Sequence, residues 1–125
     1  MDITPQIPTG RQVIQRYGAG GFLIADKQYI GSVLVFQEHV IPWSVSSIEE
    51  ISVGHFFDIR NEAEHVSMLL LGCGHEMTYI TDDIRQDLRE SGIIIEPMDT
   101  GAACRTWNVL LSEERQAAAA LIAIE

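Results

Sequence analysis

Two short apolar runs frame this chain. Val66-Ser67-Met68-Leu69-Leu70-Leu71 is closed by Gly72-Cys73-Gly74, and Ile93-Ile94-Ile95 is opened by Gly92. Runs this short, without polar alternation, predict strands buried on both faces. Between them Thr81-Asp82-Asp83 opens a helix with two acids in its first turn, where they complement the helix dipole. Ile84 and Leu88 form its buried stripe, while Arg85, Gln86, Asp87 and Arg89 face water. Gly92 sits where a glycine terminates a helix. After the second strand, Asp99 or Thr100 caps a helix running to about Ser112, with Ala103, Trp107, Leu110 and Leu111 on its inner face.

The first half of the chain changes rhythm. Val13–Tyr17 predicts a short strand stopped by Gly18-Ala19-Gly20-Gly21. Phe22-Leu23-Ile24 and the run Gln28–Phe36 flank Ala25-Asp26-Lys27, a hairpin pattern that Pro42-Trp43 closes. Ser46 with Glu49 fits a capping box opening a short helix near Ser47–Ser52, and a weaker helical patch covers His55–Asn61. Gln116–Ile124 is ambiguous: its alanines favour helix by propensity, whereas Leu121-Ile122-Ala123-Ile124 suits a strand. The need of a buried sheet for a further partner favours the strand. Strands followed by alternating helices and buried strands predict a layered α/β domain around a mixed sheet. Residues 1–12, polar with two prolines, are expected to form a flexible tail ahead of a single domain over 13–125.

Composition narrows the partners. At 125 residues and 46% hydrophobic content, the chain can bury the core of one domain. Its net charge is −10, from one lysine and seven arginines against eighteen carboxylates. Nucleic acid is excluded, because phosphate neutralisation needs a basic patch and none exists. An anionic lipid surface is disfavoured for the same reason. No apolar run is long enough to cross a bilayer, and the N-terminus has neither a secretory nor a mitochondrial leader pattern. A soluble, cytoplasmic protein without stable membrane insertion is expected, with Cys73 and Cys104 as free thiols.

Several segments carry a resemblance. They are Tyr17-Gly18-Ala19-Gly20-Gly21-Phe22, Gly31-Ser32-Val33-Leu34-Val35, Trp43, Gly72-Cys73-Gly74, Gly92-Ile93-Ile94-Ile95-Glu96-Pro97-Met98-Asp99-Thr100, Ala103-Cys104-Arg105-Thr106-Trp107-Asn108 and Glu113-Glu114-Arg115. In order and spacing the chain resembles a family of small conserved proteins of unknown biochemistry. That family includes a mitochondrial assembly factor for respiratory complex I and an adipogenesis-associated protein. Trp107 stands where the family usually has Tyr or Phe, which keeps an aromatic. The resemblance implies a three-layer α/β fold with a mixed central sheet, flanking helices, a small β-hairpin layer and a terminal strand after the last helix. It implies no established catalytic activity, and for at least one branch a role in assembling respiratory complexes.

The candidate chemistry gathers around the second buried strand: Glu96, Met98, Asp99, Thr100, Cys104, Arg105 and Asn108, with Gly72 and Gly74 nearby. Cys104 and Asn108 lie one turn apart, and Arg105 neighbours Asn108. Ligands of open α/β sheets bind near the carboxyl ends of strands, where Arg105 could fork onto an anion. The plainer expectation is that Arg105 pairs with Glu96 or Asp99 and staples strand to helix. Cys104 near a helix start could be an activated thiol with His75 as base; a small buried cysteine is the plainer reading. Gly72-Cys73-Gly74 starts like a dinucleotide fingerprint, but Met77 replaces its third glycine, so a tight turn is expected and no cofactor. Cys73-Gly74-His75-Glu76 with His39, His55 or His65 lacks paired metal-ligand spacing, so no metal is expected. Trp43, Phe56 and Phe57 are either interaction anchors or, as favoured here, core.

The leading expectation is therefore a non-enzymatic binding or assembly module with protein partners, respiratory-complex subunits or assembly proteins among them. The alternative is a small-molecule binder or enzyme using a Met98–Asn108 groove, with Arg105 as anion anchor and Cys104 as redox thiol.

Overall fold

A computed structural model describes residues 7–125; residues 1–6, half of the expected tail, lie outside the described residues. The chain opens with an antiparallel meander of β1 (Ile14–Gly18), β2 (Gly21–Ile24) and β3 (Lys27–Ile30). The central sheet contains β4 (Val33–Val35), β5 (Val40–Pro42), β6 (Met68–Gly72), β7 (Ile94–Met98) and β8 (Ala117–Leu121). Its order is β5-β4-β8-β6-β7. β6 runs parallel to β7 and β8, while β4 is antiparallel to β5 and β8, so the sheet is mixed as expected.

Both faces of this sheet are covered. On one side α3 (Thr100–Ser112) and the meander enclose Phe22, Ile24, Leu70, Trp107 and Leu111. On the other, α1 (Phe57–Asn61), α2 (Asp82–Glu90) and short 3-10 turns enclose Phe56, Ile59, Leu69, Ile84 and Leu88. Three layers result: meander and α3, mixed sheet, α1 and α2. An ion pair of Arg60 with Asp87 at 2.8 Å joins α1 to α2. Trp43 and Phe56 are buried in edge-to-face contact with centroids 5.7 Å apart, whereas Phe57 is exposed.

The Gln28–Phe36 run is not one strand. Gly31 takes φ +86°, a left-handed conformation that glycine adopts without strain, and the chain crosses there from the meander to the central sheet. Ser32 holds the crossing: its carbonyl accepts from Trp43 N (2.9 Å) and its hydroxyl from Ala123 N (3.0 Å). The early helix is a 3-10 turn over Ile48–Glu50, and Glu50 supplies the cap expected of Glu49. The backbone amides of Ser46 and Ser47 donate to the Glu50 carboxylate and hold it below the ordinary carboxyl range. β7 continues past Ile95 because Glu96 and Pro97 stay in register with Leu70 and Leu71. As an edge strand, β7 can accommodate Pro97.

β8 overrides local propensity. Each residue from Ala117 to Leu121 is buried, as the strand fills the slot between β4 and β6. Ala117 and Ala119 meet the α3 side, where small side chains let the helix approach closely, and Ala118 and Ala120 join the core on the other face.

Candidate functional site

β6, β7 and β8 point their carboxyl ends the same way, and most of the candidate residues meet there. α3 begins at this end: the Asp99 carboxylate accepts from Ala102 N at 2.9 Å, closing the first turn. Thr100 is fully buried, a position that a hydroxyl tolerates only when bonded. Its Oγ1 donates to the Ile122 carbonyl (2.7 Å) and accepts from Gly74 N (2.9 Å), while its own amide donates to the Gly74 carbonyl (2.8 Å). One side chain thus ties the ends of β6 and β8 to the start of α3. Gly72 suits this approach, since a Cβ there would lie a tight 3.1 Å from Thr100 Cα, Thr100 Oγ1 and Leu121 Cδ2.

The Gly72-Cys73-Gly74 turn has little left to offer a phosphate. Cys73 N donates to the Met98 carbonyl (2.8 Å), and Gly74 N is taken by Thr100. α2 starts only at Asp82, remote in sequence from the glycines, so the turn does not run into a helix N-terminus. His75, Met77 and Tyr79 are exposed on the intervening loop. Among the described residues, no group of three or more His, Cys, Asp or Glu is placed to hold a metal ion.

Cys104 is buried at 2% exposure, and burial pushes its thiol up to about 12. Arg105 pulls the other way but less. Loss of hydration thus outweighs the helix start and the nearby cation, and the activated thiol considered for Cys104 is overturned. Burial also raises the Cys73 thiol. Both cysteines are free.

Arg105 is exposed, and it pairs neither with Glu96 nor with Asp99. Its Nη1 donates instead to the Tyr17 hydroxyl at 2.8 Å. The Tyr17 ring lies over the first turn of α3, where a Cβ on Gly101 would come within 2.8 Å of the hydroxyl oxygen. Asn108 grips β1 from the same helix: its Oδ1 accepts from Ile14 N (2.9 Å) and its Nδ2 donates to the Ile14 carbonyl (2.8 Å). Trp107 adds a third tie, donating from Nε1 to the Gln12 carbonyl at 2.8 Å.

Open space adjoins these residues on the β1 side. A cleft of about 360 Å³ is lined by Arg16, Tyr17, Cys104, Arg105 and Asn108. A wider trough of about 1040 Å³ runs between residues 7–15 and α3, past Asp26 and Val109. Glu96 and Met98 line neither, so the expected Met98–Asn108 groove is displaced toward β1. Tyr17 and Gly101 belong to the site although neither stood among its candidates. A glycine in the first turn of a helix, costly by propensity, was the signal of a close neighbour.

A family profile described as protein of unknown function (DUF498/DUF598) matches residues 14–122. NADH dehydrogenase (ubiquinone) 1 alpha subcomplex assembly factor 3 of Xenopus tropicalis is 30% identical over 109 residues, 87% of this chain and 60% of that protein. The chain therefore spans well under two thirds of that relative. An uncharacterised protein of Rhodobacter capsulatus is 34% identical over 90% of this chain and 86% of its own length. The crystal structure of a Bartonella henselae protein titled an outer membrane protein superposes with a TM-score of 0.87 at 34% identity, covering 96% of this chain and all of that one. Among the described residues, no helix of the present chain is long and apolar enough to cross a membrane.

Proposed function

The chain belongs to the family of unknown function DUF498/DUF598, and from that membership we propose that it is a non-enzymatic binding module serving the assembly of respiratory complexes. Its partners are subunits or assembly proteins of respiratory complex I, met in the cytoplasm. The assembly-factor name of relatives about 30% identical supports this reading. So does the economy of the site. Asp99, Thr100 and Asn108 spend their polar atoms on the fold, and Cys104 is shielded.

The observation that carries the proposal is the exposed Tyr17–Arg105 pair beside the trough. A guanidinium has five N–H donors in a rigid fork; in Arg105 one of them bonds Tyr17, and the residue is exposed. On a surface with a net charge of −10, Arg105 is a local cation that can take a carboxylate of the partner and fix its register. Capture from the cells that make the protein, followed by mass spectrometry, tests this. Wild type should enrich complex I subunits or assembly proteins, and Arg105→Ala should lose them while remaining folded. A deletion strain with normal NADH-linked respiration would overturn the assembly role.

A further inference from the structure

The chain has eight Lys and Arg side chains, and all but two share their surroundings with a carboxylate. Arg11 pairs with Glu38 at 3.1 Å, Arg60 with Asp87 at 2.8 Å and Arg115 with Glu113 at 3.7 Å. Arg85 and Arg89 line one groove with Asp82 and Asp83, and Lys27 lines another with Glu38. The remaining two are Arg16 and Arg105. Both line the cleft of about 360 Å³ beside Tyr17, and no Asp or Glu lines it with them. Neither makes an ion pair among the described residues. The two elements that wall the cleft, β1 and α3, contain no carboxylate at all. Like charges gathered on one cleft repel each other, and an anion between them removes that cost.

A bulge in β1 shapes the donor set. Ile14 pairs with Ile24 but Arg16 with Leu23, so one extra residue enters β1 between them. Plain alternation from Ile14 would turn Arg16 toward α3; the extra residue puts Tyr17 there instead, opposite Phe22. The Tyr17 ring reaches Gly101, and its hydroxyl accepts from Arg105 Nη1 at 2.8 Å. Because the hydroxyl is the acceptor in that bond, its own proton is left to donate, and nothing among the described residues takes it. Arg105 keeps four further N–H donors. The neighbouring carboxylates are engaged elsewhere. Asp26, in the adjoining trough, accepts from Gln15 Nε2 at 2.8 Å, and Asp99 accepts from Ala102 N. The cleft thus offers donors and positive charge with no carboxylate to answer them.

We propose that the cleft of Arg16, Tyr17 and Arg105 is a binding site for a phosphate monoester. Such a group carries about −1.5 to −2 charges at pH 7 and three strong acceptor oxygens. Two guanidiniums match that charge, and their N–H groups with the Tyr17 proton match the oxygens. A single carboxylate would answer only one of the two arginines. The cleft takes the phosphate itself. The trough shares Ile14, Gln15, Arg105 and Asn108 with it and receives whatever the phosphate is attached to. That attachment is either a modified side chain of a protein or a free small molecule, and the chemistry recognised is the same. The inference goes beyond the assembly reading but shares Arg105 with it, so the test separates the two.

The test is an NMR titration of the full chain with inorganic phosphate at pH 8 and constant ionic strength, with acetate as the comparison. Phosphate should give saturable shifts at Tyr17 and at the Arg16 and Arg105 guanidinium signals, and acetate should bind about tenfold more weakly. Arg16→Gln and Tyr17→Phe should each weaken phosphate binding severalfold, and Arg105→Gln should abolish it. Arg89→Gln, on another surface, should leave it unchanged. Amide spectra that are otherwise native show that each variant is folded. Absence of saturation in wild type overturns the proposal, as does equal binding of acetate or indifference to Arg16→Gln. A valine-flanked phosphoserine peptide that binds more tightly than glycerol phosphate identifies a protein side chain as the source; the reverse order identifies a free small molecule, and both support the site. If phosphate fails to bind while Arg105→Ala still loses a complex I partner, the phosphate site is refuted and the assembly reading stands. If phosphate binds but no such partner is captured, the assembly reading fails and the site stands.

Discussion

Replacing Thr100 by valine isolates one hydroxyl. Valine has nearly the same shape and the same branching, so the first turn of α3 and its packing against Gly72 are retained. The lost group both donates to the Ile122 carbonyl at 2.7 Å and accepts from Gly74 N at 2.9 Å. The Ile122 bond is buried, and an orphaned buried acceptor costs about 1–3 kcal/mol. The Gly74 amide is only partly buried and regains some hydration, adding up to about 1 kcal/mol. The sum, about 1–4 kcal/mol, is a large share of the roughly 5–15 kcal/mol that stabilises a typical domain. Urea unfolding followed by tryptophan fluorescence reads it well, because Trp43 and Trp107 are both buried. With a slope of about 2 kcal/mol per molar urea, the midpoint should fall by about 0.5–2 M at unchanged slope. Gly74 amide exchange should accelerate, and Thr100→Ser should recover most of the loss. A Thr100→Val protein within about 0.5 kcal/mol of wild type, with Gly74 exchange unchanged, would refute the claim that this hydroxyl fastens the strand ends.

Gly72→Ala should destabilise by about 1–3 kcal/mol in the same assay, because its Cβ would lie 3.1 Å from Thr100 Cα, a backbone atom, and equally close to the buried Thr100 Oγ1 and Leu121 Cδ2. Asn108→Ala frees both polar groups of Ile14 and should cost about 1–3 kcal/mol, with accelerated exchange at the Ile14 amide. Gly101→Ala should be near neutral in stability, as about 1 kcal/mol of helix propensity offsets displacement of Tyr17; NMR should show the Tyr17–Arg105 bond lost. Cys104 should resist a disulfide reagent at pH 8 and react only on unfolding, since its thiol is held at about 12. The same shift sets a pH dependence. The folded thiol stays protonated above its ordinary value of 9.0, where the unfolded chain ionises, so stability is intact below that pH and declines toward 12. The Cys104 share of the slope is at most about 1.4 kcal/mol per pH unit, and Cys104→Ala should remove it from urea titrations across that range.

Much of the architecture is local and was legible without coordinates. The Ile84–Leu88 stripe, the Asp99 cap, the Gly92 stop and the buried run ending at Leu71 each depend on residues within a few positions of one another. Hydrophobic periodicity and capping chemistry act over that range, so sequence alone specified α2, α3, β6 and the start of β7. The break at Gly31 was less legible. Lys27–Ile30 and Val33–Val35 are equally strand-forming, and only their packing into different layers separates them.

The site was decided almost wholly by tertiary structure. Tyr17 and Arg105 are 88 residues apart, and Ile14 and Asn108 are 94 apart; no local pattern announces either meeting. Arg105 would have found Glu96 or Asp99 if sequence proximity governed, but the meander brings a phenol nearer. Cys104 would be an activated thiol if the helix start governed, but burial dominates its charge state. Ala117–Ala120 show the division most plainly. Alone they favour helix; between β4 and β6 they form a strand, because that slot supplies backbone partners on both sides and buries all four methyls. Propensity is worth tenths of a kcal/mol per residue, and the burial and pairing offered by the slot outweigh it.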